Sequence, residues 1–288
     1  MNENKTNINW YPGHMAKTKR EISEILPKID LIYEIIDARI PYSSKIKDID
    51  DLIKNKRKIL IMSKSDLCDS NETNKWVKYY ENLNYKVLLV NLNNKSDINK
   101  IIQLTNNIKN DINKKREEKG LKNINLKALV IGIPNVGKST FINALAGKKI
   151  AITGNKPGVT KNLNWLNTKY NVSILDTPGI LWPKFESNEV ALNLASMSAI
   201  KSEIVNDNEL CIHILNKYDK YYKDILKNKY NIDVLDTDTY EEAYNSIGTK
   251  YGYKISGGEV DYKRVALKVI NDLKNENIKG ITFDRYYK

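Results

Sequence analysis

Eight residues, Gly132-Ile133-Pro134-Asn135-Val136-Gly137-Lys138-Ser139, carry the plainest chemistry in this 288-residue chain. Their spacing is G-x-x-x-x-G-K-[ST]. Glycines at these positions let successive backbone N–H groups turn inward and surround phosphate oxygens at a helix N-terminus. Lys138 then reaches the outer phosphates, and the Ser139 hydroxyl becomes a ligand for Mg²⁺. Asn135, Val136, Gly137 and Thr140 complete the expected phosphate cradle. Further on, Asp176-Thr177-Pro178-Gly179 is a D-x-x-G step. Asp176 is placed to hold Mg²⁺ through water, and the Gly179 N–H to sense a γ-phosphate. Between the two lies Asn155-Lys156-Pro157-Gly158-Val159-Thr160, a loop whose Thr160 can complete the Mg²⁺ shell when the γ-phosphate is present. This set implies a nucleoside triphosphate.

Which base is read follows from Ser63-Lys64-Ser65-Asp66. The frame is that of the guanine-reading loop N-K-x-D, with Ser in the first place. An aspartate in the fourth place accepts hydrogen bonds from the ring N–H and exocyclic amine of guanine, a pair that adenine cannot make. The Lys64 stem packs along the base. Because the Ser63 hydroxyl is shorter than an Asn amide, a loss of about 1 kcal/mol is expected there. Asn91-Leu92-Asn93 stands where a loop of the Ser-Ala type usually backs the guanine; Leu92 lacks the hydroxyl, which leaves backbone N–H groups to serve.

Each of these loops needs a strand before it. Leu31 to Asp37, Lys58 to Met62, Lys86 to Val90, Lys127 to Ile131 and Val172 to Leu175 are short apolar runs that read as buried strands. Helical patterns cover Ala16 to Leu26, Ile46 to Lys54, Asn71 to Leu83, Asp97 to Lys119 and the stretch from Thr140 to Ala146. Base-reading loop, phosphate loop, then D-x-x-G is a circular permutation of the usual GTPase order. A permuted chain keeps the same doubly wound sheet, because strand packing does not depend on where the chain is cut. The fold class expected is therefore α/β, a doubly wound P-loop GTPase sheet, circularly permuted, over residues 1–182. A small all-helical C-terminal domain follows over 183–288, with helices at Glu189 to Ile200, Glu203 to Leu215, Tyr218 to Lys229, Thr239 to Ile247 and Asp261 to Lys274.

A formal net charge of +12 suits a polyanionic partner such as RNA, or else reflects a lysine-rich composition alone. Lys217, Tyr218, Lys220, Tyr221, Tyr222 and Lys223 either stack on and neutralise RNA or divide between core and solvated face. His213, in an apolar helix, reads as core. Cys68 and Cys211 stand far apart, which excludes a disulfide framework and a zinc site of C-x-x-C type. No apolar run approaches membrane-spanning length, so no membrane partner is expected.

Taken together, W-Y-P-G-H-M at 10–15, D-A-R-I-P at 37–41, G-I-P-N-V-G-K-S-T at 132–140, D-T-P-G-I-L-W-P-K-F at 176–185 and S-G-G at 256–258 resemble the circularly permuted GTPases of the ribosome biogenesis GTPase A family. The resemblance implies a cytoplasmic GTPase that binds GTP and GDP with Mg²⁺ and acts late in assembly of the large ribosomal subunit, on its precursor and rRNA. A monomer is expected. Departures from the family pattern lie at Ser63 (usually Asn) and Leu92 (usually Ser). Ile180 follows D-x-x-G where small GTPases carry a water-orienting glutamine, so intrinsic hydrolysis should be slow. The resemblance points to His14 as the residue that positions water on the ribosome; the other reading is that His14 caps the helix after it. Asn135 matches an asparagine that helps hold K⁺ in cation-activated GTPases, which adds a possible metal role to Ser139, Thr160 and Asp176. The alternative from another class is a nucleotide-independent RNA-binding scaffold with a degenerate GTP site.

Overall fold

The computed structural model describes residues 20–46, 49–147, 164–177, 185–200 and 204–287. Six strands form one sheet: β1 (Leu31–Asp37), β2 (Arg57–Ser63), β3 (Lys86–Leu89), β4 (Leu126–Ile131), β5 (Asn164–Asn167) and β6 (Val172–Asp176). Their spatial order is β3-β2-β1-β4-β6-β5, and all neighbours are parallel except β5, which runs antiparallel to β6 at the edge. Strand order reverses between β1 and β4, which sit side by side although 88 residues, β2 and β3 among them, lie between Asp37 and Leu126. The crevice beyond the carboxyl ends of β1 and β4 is where such sheets bind ligands.

Why the sheet forms is clear from β1 and β2. All seven residues of β1 are buried, as expected of a central parallel strand covered on both faces. On β2 the period of two divides the faces. Ile59 and Ile61 join the main core, whereas Leu60 and Met62 pack with Trp76 and Tyr80. Those two aromatics belong to α1 (Ser70–Asn82), whose N-terminus is capped by the Asp69 carboxylate accepting from the Asn71 and Glu72 amides. The opposite face is covered by α2 (Lys95–Glu117), through Ile101, Ile108 and Ile112, and by α3 (Lys138–Ala146).

The helical part includes α4 (Asn188–Ser196), α5 (Asp207–Tyr221), α6 (Glu241–Tyr251) and α7 (Tyr262–Lys274), with short helical turns at Lys223–Ile225 and Leu226–Tyr230. Two sequence expectations are corrected here. The break expected between Leu215 and Tyr218 is absent: α5 runs on to Tyr221, because no glycine or proline interrupts it and Leu210, Ile214 and Tyr218 form one buried stripe. The edge strand β5, Asn-Trp-Leu-Asn, was not expected from sequence at all. Among the described residues, no helix is long and apolar enough to cross a membrane.

After α7 the chain returns to the α/β part. The Gly280 and Ile281 amides both donate to the Leu67 carbonyl, at 2.9 and 3.1 Å, one residue past the base-reading loop. The Phe283 amide donates to the Arg39 carbonyl at 2.7 Å. The buried Asp284 carboxylate accepts from the Ser43 amide and hydroxyl, both at 2.6 Å, and from the Asn193 side chain of α4 at 2.8 Å. His213 of α5 completes the set, with Nε2 2.8 Å from the Asn193 side-chain oxygen.

Candidate functional site: a nucleotide cleft at the ends of β1, β2, β4 and β6

Strand β4 delivers Gly132 into the loop and α3 begins at Lys138. A Cβ on Gly132 would stand 2.5 Å from the Ile35 carbonyl oxygen, so the loop passes β1 too closely for any side chain. Gly137, the N-cap of α3, has φ +99°, and Asn135 has φ +63°. The result is a loop wrapped before a helix N-terminus, the geometry that receives phosphate. Lys138 is buried inside it, and its ammonium donates to the Ile133 carbonyl at 2.8 Å. Burial pushes the Lys138 ammonium down to about 8, with the Asp176 carboxylate pulling the other way. A cation so poorly solvated is well placed to gain from an incoming phosphate. Ser139 and Thr140 lie half-buried in the first turn of α3.

Asp176 closes β6, in register with Val130 of β4, and is buried. The next hydroxyl, of Thr177, donates to the Val130 carbonyl at 2.7 Å and ties the two loops together. The Ser139 hydroxyl and the Asp176 carboxylate are hard oxygen donors of the kind Mg²⁺ takes. Among the described residues no group of three His, Cys, Asp or Glu side chains is placed to hold a metal ion. The Asn135 side-chain amide donates to the Ser198 carbonyl, just beyond α4. That bond orients the amide and joins the phosphate loop to the helical part. His14, Thr160 and Gly179 lie outside the described residues.

The base-reading loop leaves β2 at Ser63. The Ser63 hydroxyl is fully buried; it donates to the Val136 carbonyl of the phosphate loop at 2.6 Å and lies 3.0 Å from the Ile36 carbonyl oxygen of β1. Lys64 has φ +60°, and its ammonium lies 3.5 Å from Asp37 and 3.6 Å from Glu276. The Ser65 amide donates to the Val90 carbonyl at 3.2 Å, which joins this loop to the one after β3. Asp66 is exposed, and among the described residues its carboxylate has no hydrogen bond or ion pair. In the second loop the Asn91 amide donates to Asp97 and the Asn91 side-chain oxygen accepts from the Asn93 amide. Leu92 is buried, with Cδ1 3.0 Å from where a Cβ on Gly137 would stand. The phosphate loop and both base loops therefore meet around one glycine.

Sequence reasoning missed the support beneath this cleft. Asp37, at the end of β1, and Arg39 form an ion pair at 2.7 Å with both side chains 2% exposed. Burial alone would raise the Asp37 carboxyl, but the Arg39 and Lys64 charges outweigh it and hold the carboxyl well below the usual range. D-A-R-I-P was the signal that could have found this pair. Glu276 and the Leu67 clasp of residues 280–281 had no comparable signal.

The lysines and tyrosines of α5 divide. Tyr218 is buried in the core, Lys217 pairs with Glu189 and donates to the Phe283 carbonyl, and the Tyr222 hydroxyl accepts from the Thr282 amide at 2.7 Å and lies 3.0 Å from the Thr282 carbonyl oxygen and 3.2 Å from the Asp69 carboxylate. Lys220 and Lys223 remain exposed and line a groove of about 410 Å³ with Asn216, Asp219, Thr237 and Tyr240. Beside it the Arg285 guanidinium lies 4.3 Å from the centre of the Tyr221 ring.

A sheet of this order, carrying the base-reading strands before the phosphate-loop strand, defines a circularly permuted P-loop GTPase. Residues 127–245 match the family model described as 50S ribosome-binding GTPase, which starts at β4 and leaves 63–66 outside it. The chain is 40% identical to ribosome biogenesis GTPase A of Bacillus pumilus over 96% of its own length and 98% of that protein. It is 27% identical to the protein of the same name from Thermotoga maritima, over 96% and 94%. Crystal-structure comparison agrees on the fold: GNP-bound YlqF from T. maritima superposes with a TM-score of 0.63 at 23% identity, covering 93% of this chain and 98% of that one. The chain belongs to the ribosome biogenesis GTPase A family.

Proposed function

We propose that this protein is a GTP-driven switch in late assembly of the large ribosomal subunit, docking through its helical part, from about residue 183, on pre-ribosomal RNA. The observation that supports this best is the convergence of the phosphate loop and both base loops on Gly137, with Lys138 buried in the phosphate loop. In the proposed reaction water attacks the γ-phosphorus and the bond to the β-phosphate oxygen breaks, giving GDP and phosphate. Lys138 leaves the Ile133 carbonyl and donates to the β- and γ-phosphate oxygens, where charge accumulates. Asp66 takes the guanine N–H groups, and Lys64 is steered along the base by Asp37 and Glu276. Ser139, Asp176 and Thr160 would hold Mg²⁺, which offsets phosphate charge, and Asn135 would contribute an oxygen to K⁺.

Ile180 cannot orient water, so turnover by the protein alone is slow and contact with the ribosome supplies the missing step, with His14 as the proposed positioning group. The exposed Lys220 and Lys223, together with Arg285 and Tyr221, form the basic and aromatic surface proposed for RNA. The protein acts as a monomer in the cytoplasm on this reading. The test is GTP turnover with and without purified large subunits, in KCl and in NaCl, with ATP as control. Low basal turnover raised strongly by subunits supports the switch, and a KCl preference supports the Asn135 assignment. RNA binding without any nucleotide binding would leave the scaffold reading instead.

A further inference from the structure

Helix α5 buries Leu210, Ile214 and Tyr218 and turns a second row outward, Asn216, Asp219 and Lys220, at i, i+3 and i+4. Lys223, just past the helix end, and Thr237 and Tyr240, from the segment before α6, complete the lining of a groove of about 410 Å³. That size falls within the range of about 300–1,000 Å³ typical of small-ligand sites. The Tyr240 hydroxyl donates to the Asn216 side-chain oxygen at 2.9 Å. This bond holds the half-buried ring at the groove and leaves the Asn216 N–H groups, which have no other partner among the described residues. Asp219 is the unexpected member of the lining. Among the described residues its carboxylate has neither a hydrogen bond nor an ion pair. A bare carboxylate repels the phosphates that Lys220 and Lys223 attract, so on a surface for a polyanion it costs affinity unless it meets N–H groups.

We propose that this groove is a subsite for one unpaired guanine of single-stranded RNA. Guanine sets two N–H donors side by side on its pairing edge, next to a carbonyl oxygen. The Asp219 carboxylate accepts from both donors, and the Asn216 amide donates to the carbonyl oxygen. Adenine, cytosine and uracil each place an acceptor beside their donor on that edge, where the second carboxylate oxygen repels it. The flat face of the base lies on the Tyr240 ring, and the phosphates on either side of it reach Lys220 and Lys223. The subsite gives RNA docking a sequence preference that lysines alone do not supply. It deepens, and rests on, the reading above that the helical part docks on RNA.

The experiment is a fluorescence-anisotropy titration of the full chain with labelled uridine pentamers carrying G, A or U at the centre, under saturating GDP so that the nucleotide cleft is filled. The G pentamer should bind about tenfold tighter than the other two, the effect of hydrogen bonds to a charged group. Asp219→Asn should bring all three within about threefold of one another, weakening G and tightening A and U, with the melting temperature unchanged. Loss of packing would not give that crossed pattern. Tyr240→Leu should weaken all three about tenfold through lost stacking. Lys220→Ala and Lys223→Ala should weaken all three alike, each lowering the salt slope by about 0.7. Should Tyr240→Leu unfold the chain, Asp219→Asn decides alone. Equal binding of the three pentamers by the wild type, or a guanine preference that survives Asp219→Asn, overturns the subsite and leaves lysine-dependent docking in place. GMP that displaces the G pentamer with equal affinity makes the ligand a free nucleotide and overturns the RNA assignment. Binding of large-subunit RNA that is unchanged when Lys220 and Lys223 are both replaced by Ala overturns instead the docking reading beneath it.

Discussion

His213 makes the joint between helical part and α/β part sensitive to acid. Asn193 spends its side-chain N–H groups on Asp284 and Ser43, so its oxygen must accept, and His213 is neutral with the proton on Nε2. Burial first, and the Lys217 ammonium next, push His213 from 6.5 down to about 4, against a smaller pull from Glu189. The folded value lies below the unfolded one, so the unfolded chain takes up the proton first. Stability is complete above pH 6.5 and is lost as pH falls towards 4. At 1.4 kcal/mol per tenfold, the loss between pH 7 and pH 5 is about 2 kcal/mol, or about 5 °C in melting temperature for a chain of this size. His213→Gln keeps an amide donor for Asn193 and does not titrate. Urea unfolding of both proteins across this range should therefore show the wild type losing about 2 kcal/mol more than the variant. Parallel curves would refute the assignment of a buried neutral histidine.

Three further outcomes follow from the same geometry. Lys138→Met should abolish the melting shift given by GDP while raising nucleotide-free stability at pH 7 by about 2 kcal/mol. It removes an ammonium whose folded value of about 8 lies below the unfolded 10.5 and which is therefore a net cost below pH 8. Asp66→Asn should weaken GDP by about a hundredfold or more and favour XDP, because an amide N–H pairs with the xanthine carbonyl that replaces the guanine amine; competition titration reads the inversion. Asp284→Ala leaves the Ser43 amide and hydroxyl and the Asn193 amide without their acceptor, and should cost about 3 kcal/mol in urea unfolding.

Much of the site was legible because its motifs are backbone demands written in residue type. Gly132 and Gly137 are forced by a close approach and by a positive φ, and those needs survive in the spacing alone. The order of the motifs also carried the sheet topology, since strand neighbours in this fold class follow from which loop reads what. Residues Asn164–Asn167 did not read as a strand, because four residues show no alternation and their conformation is imposed by pairing with β6. Tyr218 had two readings, RNA contact or core, and the buried stripe Leu210, Ile214, Tyr218 of α5 decides for the core. What Ser63 does could not be read, as a hydroxyl's partner depends on which carbonyl the tertiary fold brings near. The last described residues were silent for the same reason: they have no periodicity, and only distant acceptors shape them.

Those residues have a consequence for biosynthesis. Asp284 meets a serine 241 positions earlier, and the Leu67 carbonyl waits for amides at 280 and 281. Every segment clasped by 278–287 is made before the clasp exists. During translation the segments that carry Ser43 and Trp76 emerge first and stay without these bonds until Asp284 has been made. A nascent chain therefore carries the loops after β1 and β2 without this brace until residues 280–284 have been made.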